Sequence, residues 1–151
     1  MSESVIKDFE LPSTGNATFK LSDHCGKNVV VYFYPKDNTS GCTLEGQEFR
    51  DLYGDFTKAN TIVVGVSRDS LKSHEGFKAE FDFPFELLAD TDEKVCELFG
   101  VMKLKNMYGK QVRGVERSTF VFDVNGKLVK GWRGLKAPGH AAEVLAFVKT
   151  L

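Results

Sequence analysis

The sequence predicts an α/β protein in which helices pack around a small mixed sheet, and three observations carry that prediction. VVVYFY at 29–34 and IVVGVS at 62–67 are continuous apolar runs of strand length, as expected for strands covered on both faces. Each run is followed by a segment with helical spacing, which gives β-α-β-α order. The chain then closes with STFVFD, Asn125-Gly126 and KLVKGWRG, an antiparallel hairpin signal, followed by a terminal amphipathic helix.

The elements follow in order. Residues 9–21 mix short apolar groups with Pro12, Gly15 and Asn16, which suggests an N-terminal hairpin or extended arm. The strand at 29–34 ends at Pro35, and the turn-rich PKDNTSG leads into a helix over 42–58. Phe49, Leu52, Tyr53 and Phe56 share one side of that helix, with Glu48, Arg50, Asp51 and Asp55 largely outside. A second helix runs over 70–81 before the Pro84 break, and a short one over 91–99 turns Val95, Leu98 and Phe99 inward. Thr91 or Asp92 caps the short helix, and Gly100 ends it. KLKNMYGKQVRG at 103–114 shows no clean period and reads as a loop with irregular strand edges, placed to rim an active site. Pro138 opens the terminal helix, whose apolar face is Ala141, Val144, Leu145 and Val148.

Composition limits the function. With 151 residues, 42% of them hydrophobic, and 13 Phe, the chain is read as one domain, 1–151, with a real core. Twenty basic against 21 acidic side chains give no global field for nucleic acid or anionic lipid. The N-terminus MSESVIK has no basic leader region, and no apolar run reaches membrane length, so a soluble cytoplasmic protein is expected. Cys25, Cys42 and Cys96 are an odd, widely spaced trio, unlike a secreted disulfide framework, so at least one thiol is free. There is no internal repeat, and Gly65 lies inside an apolar strand without a glycine-rich phosphate loop, which leaves nucleotide binding unsupported.

The chemistry concentrates in PKDNTSGCTLE, 35–45, between a buried strand and an amphipathic helix. The free amides and positive dipole end of a helix start favour the Cys42 thiolate, the form that acts as nucleophile. Thr39 can offer its hydroxyl to the thiolate or to an oxygenated substrate, and Pro35 can shape and dry the pocket. The residues alone also allow Cys42 to be an inert, buried small thiol.

PKDNTSGC at 35–42 resembles the active-site motif of peroxiredoxins, and YFYPKDNTSGCTLE at 32–45 is similar to the bacterioferritin-comigratory or PrxQ branch. The likeness continues through IVVGVSRDS, LLADTDEKVCELFGV and ERSTFVFDVNGKLVKGWRG. It implies a thioredoxin-like fold, with a central mixed sheet, helices on both faces and an N-terminal extension. It also implies a thiol peroxidase that reduces hydrogen peroxide and organic hydroperoxides. Carried onto this chain, Cys42 is the peroxidatic cysteine, Pro35 the shielding proline, Thr39 the peroxide-positioning threonine and Arg117 the family arginine. The planar guanidinium of Arg117 can polarise a peroxide oxygen, whereas local sequence alone would make it a strand-end surface cation. Glu45 matches a carboxylate near the arginine network, or is simply a first-turn acid.

The branch's usual resolving positions are Gln47 and Lys78 here, so the economical reading is a one-cysteine peroxidase reduced by thioredoxin, glutaredoxin or glutathione. Alternatives are an atypical two-cysteine enzyme resolved by Cys96, and a redox sensor that oxidises at Cys42. A thiol-disulfide oxidoreductase is opposed by the lack of CxxC. Cys96 reads as a core thiol and Cys25 as an exposed turn thiol. His24, His74 and His140 form no ligand series, so neither a metal nor a cofactor is implied; His74 reads as a solvated helix residue and His140 as a helix-start residue with local hydrogen bonds. Lys103, Lys105, Lys110 and Arg113 read as a solvated loop, Trp132 as core or rim packing, and the chain as a monomer with at most a weak dimer.

Overall fold

Period-two alternation sorts the central strands between two cores. A computed structural model describes residues 8–151, apart from the side chains of Lys105 and Met107. Residues 1–7, where the lack of an export leader was read, lie outside the described residues. Strands β3 (Asn28–Phe33), β4 (Thr61–Ser67) and β5 (Glu86–Ala89) run parallel. On β3 they are joined by antiparallel β8 (Ser118–Phe122), which pairs in turn with β9 (Leu128–Arg133). The hairpin of β1 (Glu10–Ser13) and β2 (Ala17–Lys20) extends the other edge through β5, giving the order β2-β1-β5-β4-β3-β8-β9. The expected N-terminal hairpin is thus an extension of the main sheet.

Val29, Val31 and Phe33 face one core with Val64, Val66, Phe120 and Phe122. Val30, Tyr32 and Tyr34 face the other, with Val63 and Val121. Burial on both faces is the reason these strands read as unbroken apolar runs. Helices α1 (Ser40–Lys58), α2 (Leu71–Phe81) and α4 (His140–Val148) cover the second core through Phe49, Phe56, Phe77, Val144 and Val148. Helix α3 (Lys94–Leu98) covers the first through Val95 and Cys96. Among the described residues no helix is long and apolar enough to cross a membrane.

Several expectations change. The 103–114 segment is a regular hairpin, β6 (Met102–Met107) with β7 (Lys110–Val115), turned by Tyr108 and Gly109 at φ 53 and 78°. Its outer part, from Leu104 and Asn106 to Gln111 and Val112, is exposed, so no alternating pattern marks it in the sequence. Arg113 is not a solvated loop cation, because it pairs with Glu93 and with Glu97, the latter at 2.8 Å. Helix α3 starts later than expected because Glu93 takes a left-handed conformation (φ 66°), and the buried Asp90 accepts the amides of Val95 and Cys96 at 3.2 and 2.7 Å. Asp92 accepts only from Lys94, and Leu98, expected inward, is 48% exposed.

The topology fixes where chemistry can occur. Strand β3 leaves the sheet at Tyr34, beside α1, and antiparallel β8 enters next to it, with Ser118 opposite Phe33. The residue before β8, Arg117, is therefore delivered to the same edge as the start of α1. Gly65 is required at the middle of β4 because a Cβ there would lie 2.8 Å from the Tyr32 ring and 3.0 Å from Leu87. Gly65→Ala should lower unfolding stability by about 1–3 kcal/mol in urea titrations; an unchanged midpoint would contradict this packing.

Candidate active site

Cys42 sits in the first turn of α1, and the first intrahelical bond runs from the Thr43 amide to the Thr39 carbonyl at 2.8 Å. The amides of Ser40, Gly41 and Cys42 precede that bond and have no partner within the helix. Cys42 is 1% exposed and packs in the aromatic core beneath the helix, with Tyr32 and Phe49 among its neighbours. It is reached from the side by Arg117, whose Nη2 lies 3.4 Å from Sγ. The approach depends on Gly41, since a Cβ there would stand 3.0 Å from the same Nη2.

The other arm of the guanidinium, Nη1, donates to Glu45 Oε1 at 2.7 Å. Glu45 lies one helical turn after Cys42, wholly buried, and its Oε2 has no partner among the described residues. Burial pushes the Glu45 carboxyl up to about 7, with Arg117 pulling against that and Glu48 adding to it. Burial opposes the charge of Arg117, but Glu45 and then Cys42 hold it above its ordinary range, so it stays a cation. A fixed positive charge thus faces a sulfur at a helix N-terminus, an arrangement suited to an anionic nucleophile and to developing charge on a bound oxygen.

Pro35, half-buried, follows Tyr34 at the head of the loop, and Thr39 is the N-cap residue of α1 in extended conformation. The Thr39 hydroxyl donates to the Lys36 carbonyl at 2.9 Å rather than to the sulfur. The structure therefore brings Cys42, Arg117 and Glu45 into contact and places Pro35 and Thr39 on the loop leading to them.

Residues 3–130 match the AhpC/TSA family. A Xanthomonas campestris protein, "Peroxiredoxin Bcp", is 50% identical over 142 residues, spanning 94% of this chain and 89% of its own. The chain belongs to the AhpC/TSA family. Within it, the chain is a peroxiredoxin of the Bcp or PrxQ branch, a peroxidase with the thioredoxin-like fold. A solved Xanthomonas campestris bacterioferritin comigratory protein, described for its alkyl peroxide reduction activity and trapped intermediate and ligand complexes, superposes with a TM-score of 0.90 at 48% identity over 94% of this chain and 90% of that one. A cysteine-to-serine mutant of Xanthomonas campestris Peroxiredoxin Q reaches 0.91 at 46% identity over 98% of both chains.

For this peroxiredoxin the sequence misplaced one residue at the site. His74, read as solvated, is fully buried beneath the loop that precedes α1 and contacts Asp37 at 2.7 Å. The signal was present: Leu71, His74, Phe77 and Phe81 recur at helical spacing, which puts the histidine on the apolar stripe of α2. His140 is likewise buried, reaching across to Thr119 at 2.9 Å as well as lying 3.5 Å from nearby Glu143. Trp132 lies against the second core, edge-on to His140 and bonded to Glu143 at 3.1 Å. Cys96 is buried and Cys25 exposed.

Glu45 sets a pH dependence. With its carboxyl raised from 4.5 to about 7, the folded state binds more protons than the unfolded one in that window, so Glu45 lowers stability as pH rises through it. The stability difference between Glu45→Gln and the parent should therefore shift in favour of the variant by about 3 kcal/mol between about pH 4.5 and 7 and then level off. A gap that stays constant across pH in denaturant titrations would show that the buried carboxyl does not titrate in this way.

Proposed function

We propose that this peroxiredoxin works through Cys42 as a one-cysteine thiol peroxidase that reduces hydrogen peroxide and alkyl hydroperoxides at the expense of an external thiol. The observation carrying the proposal is the Arg117 guanidinium shared between Cys42 Sγ at 3.4 Å and the buried Glu45 at 2.7 Å. The Cys42 thiolate attacks one peroxide oxygen in line with the O–O bond. Sulfur is oxidised to sulfenic acid, and the other oxygen takes up a proton and leaves as water or alcohol. Arg117 and the first-turn amides of Gly41 and Cys42, joined by the Thr39 hydroxyl once it turns away from the Lys36 carbonyl, stabilise the charge on the departing oxygen, while Pro35 keeps bulk water from the sulfur. Two equivalents of thiol complete the cycle: one forms a mixed disulfide with release of water, and the second releases Cys42 as the thiol.

The placement of the other cysteines supports an external reductant. Cys96 packs in the core on the opposite face of the sheet from Cys42. Burial, and then Asp90 beside it, push its thiol well above the ordinary range, which disfavours the thiolate needed to attack a sulfenic acid. Cys25 precedes β3 whereas Cys42 follows it, so the length of a strand separates them. Two solved Xanthomonas campestris Peroxiredoxin Q structures carry serine in place of one or the other of two cysteines 36 positions apart, and the same step from Cys42 ends on Lys78, which is ion-paired to Glu86 at 2.9 Å. The alkyl peroxide activity in the description of the Xanthomonas protein supports the wider substrate class. Thioredoxin, glutaredoxin and glutathione all supply the required thiol chemistry.

Intact-mass analysis after stoichiometric hydrogen peroxide should show one oxygen added to the parent and none to Cys42→Ser, with turnover restored by added thiol. Arg117→Ala should slow the addition about 10²–10³-fold. Loss of two hydrogens in the monomer, joining Cys42 to Cys96, would replace the one-cysteine reading; undiminished oxygen uptake by Cys42→Ser would remove the proposal altogether.

A further inference from the structure

Beneath the loop that carries Pro35 and Thr39 lies a polar cluster with no part in the chemistry at the sulfur. Asp37 Oδ1 accepts from the Tyr34 hydroxyl at 2.6 Å, and its Oδ2 accepts from the Ser73 hydroxyl and contacts His74 Nδ1, each at 2.7 Å. Asp37 donates its amide to Asp69 at 2.8 Å, and Asp69 also accepts from Ser67 at 2.7 Å. On the far side of the ring, His74 Nε2 lies 2.9 Å from the Leu88 carbonyl oxygen.

These partners define the proton inventory. A carbonyl oxygen only accepts, so Nε2 carries a hydrogen. Both Asp37 oxygens already accept from hydroxyls, and although burial works against its charge, bonds from His74 and Tyr34 hold its carboxyl below the ordinary range. Asp37 is therefore an acceptor toward Nδ1, which carries a hydrogen as well, and the buried ring is an imidazolium. The charged groups facing it are Asp37 from the loop and Asp69 from the β4–α2 connection; the residue just after β3 contributes the Tyr34 phenol, α2 the Ser73 hydroxyl and β5 only a carbonyl.

Among residues 36–40, Asp37 alone is buried, while Lys36, Asn38, Thr39 and Ser40 are exposed. The loop is thus gripped by the body of the protein at Asp37, two residues before the N-cap of α1. Asn38, between the grip and the cap, holds φ at 64°, a conformation that needs both flanks fixed. Cys42 is 1% exposed, so a bulky reducing thiol reaches the sulfur only if the first turn of α1 opens, whereas hydrogen peroxide, close to water in size, needs far less room.

We propose that His74 is a positioning residue for the catalytic loop: through Asp37 it holds residues 35–39 ordered for peroxide reduction and restrains the opening that admits the reducing thiol. The proposal rests on the peroxidase reading above. Losing the Nδ1 hydrogen turns a lone pair toward a carboxylate oxygen 2.7 Å away, so the grip depends on that proton. Loosening it has opposite effects on the two half-reactions, which a purely structural residue would not produce.

The test compares parent and His74→Gln by rapid-quench intact mass, following Cys42 oxidation by hydrogen peroxide and sulfenic acid reduction by dithiothreitol as a function of pH. Histidine nitrogen NMR of the parent reads the ring directly. The expected result is a ring protonated at both nitrogens at neutral pH. In His74→Gln, oxidation should be slowed about tenfold and reduction accelerated severalfold. If His74→Gln does not fold, Ser73→Ala, which removes one donor to Asp37, should give smaller changes of the same opposite signs. A ring with a single protonated nitrogen, or rates that move together or not at all, would overturn the proposal. A parent that takes up no oxygen at Cys42 would instead fail the peroxidase reading, a distinct outcome visible before any variant is compared.

Discussion

The two arms of the Arg117 guanidinium point to different groups, one to the Glu45 carboxyl in the core and one to the sulfur of Cys42. Neither partner is near Arg117 in sequence, so the contact exists only because β8 pairs antiparallel with β3 and begins where β3 ends. Helix α1 supplies both partners one turn apart, and its position is set by Phe49 and Phe56 packing into the core under the sheet. Burial makes the charge arrangement strong, because a guanidinium held between two groups away from water cannot reorient toward solvent. It also makes the arrangement costly, as the raised Glu45 carboxyl shows.

Much of this could be read from the chain. The apolar runs that became β3 and β4, the Asn-Gly turn and the helical faces depend on local periodicity, and local periodicity survives folding. Cys42 at a helix start follows from a strand, a turn-rich loop and an amphipathic segment in succession. The catalytic weight given to Arg117 came from family resemblance, since a lone arginine before a strand has no local mark that tells it from a surface cation. What escaped was long-range. The β6–β7 hairpin is exposed over its outer part and so has no binary pattern, and the cap of α3 is Asp90, set before a left-handed Glu93 that sequence does not announce. His74 was missed because residue type outweighed position: a histidine among charged neighbours looks solvated, although its spacing from Phe77 and Phe81 put it on the buried stripe.

The site is held from two sides by two polar pairs of different character. Arg117 with Glu45 sits on the helix side and touches the sulfur of Cys42. His74 with Asp37 sits under the loop and touches only the segment that carries Pro35 and Thr39. Tyr32 and Tyr34 lie in the same core, and burial raises both phenols well above their ordinary range, so they remain neutral; the Tyr34 hydroxyl donates to Asp37, whereas that of Tyr32 has no partner among the described residues. A site built this way is rigid toward a small peroxide and closed to a large thiol, which makes the opening of the first helical turn a necessary part of any cycle that uses an external reductant.

The central claim is that Glu45 acts on the sulfur through Arg117. A double-mutant cycle with Glu45→Gln and Arg117→Met, read as the rate of Cys42 oxidation by hydrogen peroxide, tests it most directly. The account predicts that Glu45→Gln slows oxidation when Arg117 is present and has no effect once Arg117 is replaced. An equal effect of Glu45→Gln in both backgrounds would show that the carboxylate and the guanidinium act independently, and would contradict the account.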